Sequence, residues 1–294
     1  MFHGLLRFQR WVESLYQALI SLLRVALRCR FRSDLNGMKA ESEELFILAN
    51  GPSLREDLDE YADRLTAKTV MCVNQFVLSD DFERIRPAHY IFLDIGFFHE
   101  ATILRVAEVR ERVLTALAEK TNWPMTIYAP AEGRRSRFCR TLATAGIPIT
   151  FRFFNRTVVD GWKPLRHLLY QCQAGMPPPQ NVLIGALMVA IGIGFKRIVI
   201  LGADHTWHQG LEVGMDGVLQ SAENHFYDQK PWKVAVHHPE TLHRATVHDY
   251  FFNLYRTFRS YHLIREYADA RGVEIINASR VSFIDAFKRA EAQI

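Results

Sequence analysis

The chain has 294 residues, of which 49% are hydrophobic and 23% are charged, and its formal net charge is +4. This length and apolar content support a sizeable core, built as one large domain or as one domain with a lid. The four cysteines show no Cys-x-x-Cys spacing, which argues against a zinc ribbon or a disulfide scaffold and favours a reducing compartment.

The first 33 residues predict an amphipathic helix. Residues 1–32 hold six arginines and one glutamate, so the basic excess belongs to this segment and not to a nucleic-acid-binding groove in the core. Polar side chains recur there at spacings of three and four and form one narrow stripe on a helix. The members of this stripe are Arg7, Arg10, Ser14, Gln17, Ser21, Arg24 and Arg28.

The broad apolar face of this helix, which includes Trp11, suits the surface of an anionic membrane. Its polar interruptions argue against a transmembrane span, and no cleavable signal peptide is evident. We therefore expect a cytoplasmic protein that is held peripherally on the inner face of the cell membrane. The alternative is a helix that docks on the body of the protein or on a partner subunit of a homo-oligomer, and the sequence leaves both open.

After a polar linker at residues 34–44, the pattern predicts an α/β domain over residues 45–294. We expect a Rossmann-like, mostly parallel sheet flanked by helices. Residues 205–247 are irregular and rich in His, Asp, Asn, Gly and Trp. Because long structured loops are usually functional, they predict a lid or an acceptor-binding insertion.

The most informative pattern opens this domain. The apolar run 45–48 is followed, after Ala49, by Asn50, Gly51, Pro52 and Ser53, which predicts a strand, a tight turn and a helix start. Gly51 allows a ligand to approach the backbone, and Ser53 is expected to cap the helix. Free N–H groups at such a helix start bind phosphate at the carboxyl end of the strand.

Three further apolar runs, at residues 69–73, 89–93 and 197–201, each predict a buried strand. The polar residues that follow these strands are Asn74, Asp94, and Asp204 with His205 just after Gly202. The carboxyl ends of parallel strands lie along one edge of a sheet, so we expect these side chains to build one cleft.

The remaining elements complete an alternation of helices and strands, although residues 148–176 give no clear assignment. We expect a charged helix over 100–121, a short strand over 125–128 that ends near Glu132, a buried helix from Asn181 to Gly194, a helix over 247–271, a strand over 273–276 and a last amphipathic helix after residue 279. The only Asp-x-Asp, at residues 57–59, falls in a predicted first helical turn, where carboxylates complement the helix dipole, so no metal site is expected.

Three segments, taken together and in order, resemble the bacterial sialyltransferase family that uses CMP-sialic acid, and its CMP-Kdo-using relatives. They are Asn50-Gly51-Pro52-Ser53-Leu54, Cys72-Val73-Asn74-Gln75-Phe76, and residues 190–204 ending in Gly202-Ala203-Asp204. The same turns also resemble a broader, uncharacterised family related to hydroxymethylpterin pyrophosphokinases that is common in surface-polysaccharide gene sets.

The first resemblance implies a glycosyltransferase that moves a sialic-acid- or Kdo-type sugar from a CMP donor to a glycan or lipid-linked acceptor. It implies a metal-independent transfer without a cofactor, in which Asn50, Gly51, Ser53 and Asn74 contact the CMP phosphate and ribose. By position, Pro52, Asp94, Asn181 and Gly202 join them in the donor site.

Transfer from such a donor needs a stabilised leaving phosphate and a base for the acceptor hydroxyl. Histidine suits the base role, and the candidates are His205, His225, His243 and His248. In an inverting enzyme Asp204 would order the loop, whereas in a retaining enzyme it would be the nucleophile with Glu132 as acid/base. The basic run Arg134, Arg135 and Arg137 would either neutralise the donor or form a solvated loop.

Two other function classes stay open. One is a pyrophosphokinase-like phosphotransferase that uses the same phosphate turn with ATP and Mg²⁺. The other is a non-catalytic nucleotide- or glycan-binding scaffold in a polysaccharide assembly complex.

Overall fold

The computed structural model describes residues 2–29, 33–100, 104–223, 232–236 and 244–294. Its helices are α1 (Phe2–Arg28), α2 (Leu54–Leu65), α3 (Asp81–Ile85), α4 (Leu104–Lys120), α5 (Arg137–Thr144), α6 (Lys163–Gln171), α7 (Val182–Ile193) and α8 (Val247–Arg271). Its strands are β1 (Glu44–Leu48), β2 (Val70–Val73), β3 (His89–Ile91), β4 (Met125–Pro130), β5 (Ile149–Phe154), β6 (Arg197–Leu201), β7 (Leu211–Val213), β8 (Leu219–Glu223), β9 (Trp232–Ala235), β10 (Glu274–Asn277) and β11 (Lys288–Arg289).

The larger sheet has eight strands in the order β11-β10-β6-β1-β2-β3-β4-β5, and every pairing in it is parallel. The predicted α/β class with a mostly parallel sheet is therefore confirmed. Successive residues of β1 alternate between two cores: Leu45 and Ile47 pack with α7 and α8, and Phe46 and Leu48 pack with α2, α4 and α5. A strand covered on both faces reads as a continuous apolar run, which is why its sequence was informative.

Helix α7 is the apolar centre of one layer. The residues from Leu183 to Ala190 are all buried, as its uniformly apolar sequence predicts. Asn181 caps its start by accepting the N–H of Ile184, and Gly194 ends it with φ 111°. Both ends therefore lie where the sequence places them.

The later part of the chain contains a second, small sheet and an extended segment. The described part of 205–247 includes a small antiparallel sheet, β7-β8-β9. The prediction of an amphipathic helix after residue 279 is wrong. An extended segment there leads to β11, which pairs with β10. Ile284 and Ala286 are each 1% exposed, whereas Phe283 and Asp285 are exposed, and this alternation over residues 283–286 is that of extended chain.

Candidate functional site

A cleft opens where the chain reverses its direction across the sheet. Strands β2 to β5 follow one another on one side of β1. The chain then returns across the sheet and places β6 on the other side of β1. The loops that follow β1 and β6 diverge at this point, which is where open α/β sheets bind ligands. The cavity there measures about 920 Å³.

Ten of the predicted site residues line this cavity: Asn50, Gly51, Pro52, Asn74, Asp94, Glu132, Asn181, Gly202, Asp204 and His205. They come from the carboxyl ends of β1, β2, β3, β4 and β6 and from the start of α7. The parallel sheet therefore brings together most of the side chains that the sequence singled out.

The loops after β1 and β6 are clamped together by a buried carboxylate. Asp204 Oδ2 accepts the backbone N–H of Ser53 at 2.9 Å, and Asp204 Oδ1 accepts the Ser53 hydroxyl at 2.6 Å. Asp204 is 4% exposed and Ser53 is 8% exposed. Both oxygens of this carboxylate are thus engaged with the turn, which suits an ordering role for Asp204 better than nucleophilic attack.

This clamp corrects two expectations about the start of α2. Ser53 has helical backbone angles and makes no side-chain capping bond, because its hydroxyl is committed to Asp204. The Ser53 N–H, expected to be free for a phosphate, is also taken by that carboxylate. The protein's own anion therefore occupies the position at the helix start where the dipole favours negative charge.

The backbones approach each other as closely as the side chains do. The Gly51 N–H donates to the carbonyl of Gly202 at 2.7 Å. A Cβ on Gly51 would lie 2.3 Å from Asp204 Oδ1 and 2.5 Å from that carbonyl oxygen. The close packing of the two loops therefore requires glycine at position 51, whether or not a ligand also approaches the backbone there.

Burial raises the pKa of Asp204, and the two bonds from Ser53 act in the opposite direction. Desolvation is the larger cause, since the carboxyl group lies behind the turn with little solvent contact.

Two asparagine side chains on the cleft wall present unpartnered oxygens. Asn50 Oδ1 and Asn74 Oδ1 are buried and have no hydrogen-bond partner among the described residues. Asn74 has a left-handed backbone (φ 48°), and its carbonyl accepts the Tyr90 hydroxyl at 2.7 Å. An unsatisfied buried acceptor costs about 1–3 kcal/mol, so these oxygens indicate a ligand that donates hydrogen bonds.

His205 belongs to a buried polar network under the cleft. Its Nε2 lies 2.6 Å from the Tyr261 hydroxyl and 3.3 Å from Asn181 Nδ2, and its ring packs against Trp207 at 4.3 Å between centroids. Burial lowers the pKa of His205 to about 3, so the ring is neutral near pH 7 and is a weak base. Its φ of 54° places it in the left-handed region.

The His205 pKa predicts an acid-sensitive fold. Its ordinary value is 6.5 and its folded value is about 3, so between these values the unfolded chain binds a proton that the folded chain does not. The contribution of His205 to the free energy of unfolding is therefore present above pH 6.5 and falls as the pH drops, by up to about 1.4 kcal/mol per pH unit. Urea unfolding at about pH 6 and about pH 5 measures this slope.

The matched variant is His205→Asn, because asparagine tolerates a positive φ and can still bond to Tyr261. Between about pH 6 and about pH 5 we expect the variant to lose less unfolding free energy than the wild type. The difference between the two losses should be about 1.4 kcal/mol. Equal slopes in the two proteins would show that His205 does not carry the effect.

Four arginines also line the cleft: Arg24, Arg28, Arg156 and Arg256. Arg156 is paired with Glu132, with its Nε 3.3 Å from the carboxylate. Arg24, Arg28 and Arg256 have no ion-pair partner within the part of the chain that the structure describes. Three guanidinium groups that have no ion-pair partner among the described residues and lie in one cleft indicate an anionic ligand.

The predicted basic run lies elsewhere. Arg134 holds both oxygens of Asp34 at 2.7 Å, and Arg137 pairs with Glu111 at 3.0 Å. None of the three arginines of the run lines the cleft. The predicted linker at residues 34–44 is attached to the body at its start, because Asp34 also accepts the Phe153 N–H at 3.1 Å.

Of the two described histidines proposed as bases, His205 lines the cleft and His248 does not. His248 is exposed on the first turn of α8 and lies outside the cavity lining, although Asn253 and Arg256 of the same helix line it. His225 and His243 lie outside the described residues.

Sequence reasoning missed several lining residues. Arg156 lies in the segment that gave no clear assignment, and Arg256 and Asn253 lie inside a helix whose pattern marks no site. Arg24 and Arg28 belong to the polar stripe of α1, whose pattern predicts a membrane-bound or docked helix and not a cleft wall.

No protein-family profile matches the chain, and no curated protein does. Among solved structures, the MAf glycosyltransferase from Magnetospirillum magneticum AMB-1 is similar with a TM-score of 0.47 and 10% identity, over 86% of this chain and 34% of that chain. This chain therefore matches about a third of the length of that protein. A likeness at this level assigns no function.

Proposed function

We propose that this chain is a glycosyltransferase whose donor is a nucleotide-activated acidic sugar, a CMP-linked sialic-acid- or Kdo-type residue. The acceptor would be a glycan or a lipid-linked molecule of surface polysaccharide synthesis, reached from the inner face of the cell membrane. One observation carries the proposal: the same cleft, at the switch point of the sheet, holds two amide oxygens without a hydrogen-bond donor and arginines without an ion-pair partner among the described residues.

The cleft matches the groups of such a donor. Ribose hydroxyls are hydrogen-bond donors that would satisfy the Oδ1 atoms of Asn50 and Asn74. The donor carries two negative charges, one on the phosphate and one on the sugar carboxylate, and Arg256 offers a guanidinium group to one of them. As the sugar leaves, the same arginine would stabilise charge on the departing phosphate.

The remaining roles follow from burial and partners. Asp204 orders the turn through Ser53, as an inverting reaction would need. His205 is neutral and hydrogen-bonded to Tyr261, so we assign it a structural role in the floor of the cleft. Glu132 lines the cleft, with its side chain 49% exposed and paired with Arg156. We assign it the role of the general base that removes the proton of the acceptor hydroxyl.

A thermal-shift panel of CMP, CDP, UDP, GDP, ADP and ATP, each with and without Mg²⁺, tests this assignment. A ligand that binds only the folded chain raises Tm by mass action. We expect CMP to stabilise the protein without metal, and Arg256→Gln to weaken its affinity at least about tenfold, which is the loss of one charge-assisted bond.

The matched control is Arg265→Gln, an exposed arginine of the same helix that does not line the cleft. It should leave the CMP response unchanged. A response to ATP only with Mg²⁺ would favour the phosphotransferase, and a response to UDP or GDP would keep the transferase and discard the donor. No response to any nucleotide would favour a scaffold that binds glycan and not nucleotide.

A further inference from the structure

Helix α1 exposes a broad apolar face to the surroundings. Nine large apolar side chains of its described residues are 42% to 74% exposed: Leu5, Phe8, Trp11, Val12, Tyr16, Leu19, Leu22, Leu23 and Leu27. At 100° per residue these positions cover roughly half of the helix circumference. A continuous exposed apolar face of this kind indicates an interaction surface.

The opposite side of α1 is fixed to the body through polar groups. The Ser21 hydroxyl accepts the Asp160 N–H at 2.8 Å and donates to the Asp160 carbonyl at 3.0 Å. A Cβ on Gly161 would lie 2.3 Å from the backbone N of Ala18, so the loop and the helix are in direct backbone contact. The docked side carries the buried Ala18, Ser21 and Val25, so the broad apolar face points away from the body.

The same helix also forms a wall of the cleft. Arg24 and Arg28 line the cavity, and within the described ranges neither has an ion-pair partner. They follow the docked Ser21 by three and seven residues, on the polar side of the helix. One element therefore joins an exposed apolar surface to two cations inside the site.

A second apolar surface borders the same cleft. On α8, Phe251, Phe252 and Tyr255 are 53% to 60% exposed, whereas Asn253 and Arg256 face the cavity. Helix α8 is tied to the loop under α1, because Arg259 holds the Asp160 carboxylate at 2.9 Å. The cleft is thus flanked by outward apolar side chains from two connected helices.

We propose that the apolar face of α1 lies in the headgroup region of an anionic membrane, and that Arg24 and Arg28 bind the phosphate of an amphiphilic acceptor that enters the cleft from that membrane. The exposed arginines Arg7 and Arg10 complement anionic lipid, and Trp11 and Tyr16 suit the interface. No helix among the described residues is long and apolar enough to cross a bilayer. Membrane docking can be tested apart from the donor assignment, whereas the role of the bound amphiphile as an acceptor rests on the proposed function.

Vesicle sedimentation with the full chain tests the docking. Wild-type protein should sediment with phosphatidylcholine vesicles that contain phosphatidylglycerol, and less with phosphatidylcholine alone. Leu19→Glu combined with Leu23→Glu changes two exposed side chains, so Tm should be unchanged while vesicle binding falls at least about tenfold. Undiminished binding by this variant, or a wild-type dimer that the variant converts to a monomer without any lipid binding, would overturn the proposal.

A thermal-shift comparison of farnesyl phosphate, farnesol and inorganic phosphate tests the phosphate site. We expect only farnesyl phosphate to raise the Tm of the wild type strongly, because the ligand must combine an apolar tail with an anion. Arg24→Gln with Arg28→Gln should abolish this shift. Arg7→Gln with Arg10→Gln, which makes the same charge change on the same helix outside the cleft lining, should retain it.

Equal loss in both double variants, or an equal shift with inorganic phosphate alone, would overturn the acceptor site. The CMP response measured on the same samples separates the two proposals. A CMP shift without a farnesyl phosphate shift would remove this inference and leave the donor assignment, and the reverse result would remove the donor assignment.

Discussion

Asp204→Ala is expected to lower the free energy of unfolding by about 3 kcal/mol and to abolish nucleotide binding. The substitution leaves the Ser53 N–H and hydroxyl without the carboxylate that accepts both of them. A hydrogen bond to a charged group contributes about 1.5–3 kcal/mol, and a buried donor that loses its partner adds a cost of its own. Urea unfolding gives the stability, and CMP thermal shift gives the binding.

A double-mutant cycle with Ser53→Ala separates the clamp from other effects. If the two side chains act through each other, the double variant should lose less stability than the sum of the single variants, with a coupling of about 1–2 kcal/mol. Additive losses within about 0.5 kcal/mol would show that Asp204 stabilises the protein through other contacts.

Gly51→Ala is the second substitution for which we expect a large loss. Its Cβ would lie 2.3 Å from Asp204 Oδ1 and 2.5 Å from the Gly202 carbonyl oxygen. One of these atoms is backbone and the other belongs to the buried clamp, so the loops after β1 and β6 must separate. We expect a loss of about 2–3 kcal/mol in unfolding free energy, typical of overpacking, together with the loss of nucleotide binding.

The matched control is Gly192→Ala in α7, where the nearest atom to the added Cβ is Gln173 Nε2 at 3.5 Å. Because the site is helical and open enough, alanine should leave binding intact and raise stability by up to about 1 kcal/mol. If Gly51→Ala were as harmless as this control, the close approach of the two loops would not be a constraint on the fold.

Much of the site was predictable because its signals are local. An apolar run that is buried on both sheet faces has no polar alternation, and a polar residue at its end marks the edge of the sheet. Asn50, Asn74 and Asp94 each satisfied this rule and each lines the cleft. The ends of α7 were equally local, since Asn181 and Gly194 carry the capping preferences in their own chemistry.

The partners of these residues were not predictable in the same way. The Ser53 hydroxyl bonds to a residue 151 positions later, and no local pattern distinguishes that role from helix capping. The tail after residue 279 contains enough apolar residues for a helix, but Ile284 and Ala286 are buried where the chain lies extended toward β11. In both cases a contact that is distant in sequence overrides the local preference.

Helix α1 shows the same division. Its amphipathic character was determined by the sequence alone, because the spacing of Arg7, Ser14, Ser21 and Arg28 places them on one side of any helix. Which side meets the body was decided only by the tertiary structure. The backbone groups of Asp160 bond to Ser21, and the missing side chain of Gly161 lets Ala18 approach closely, so this side of the helix docks and the apolar face is left exposed.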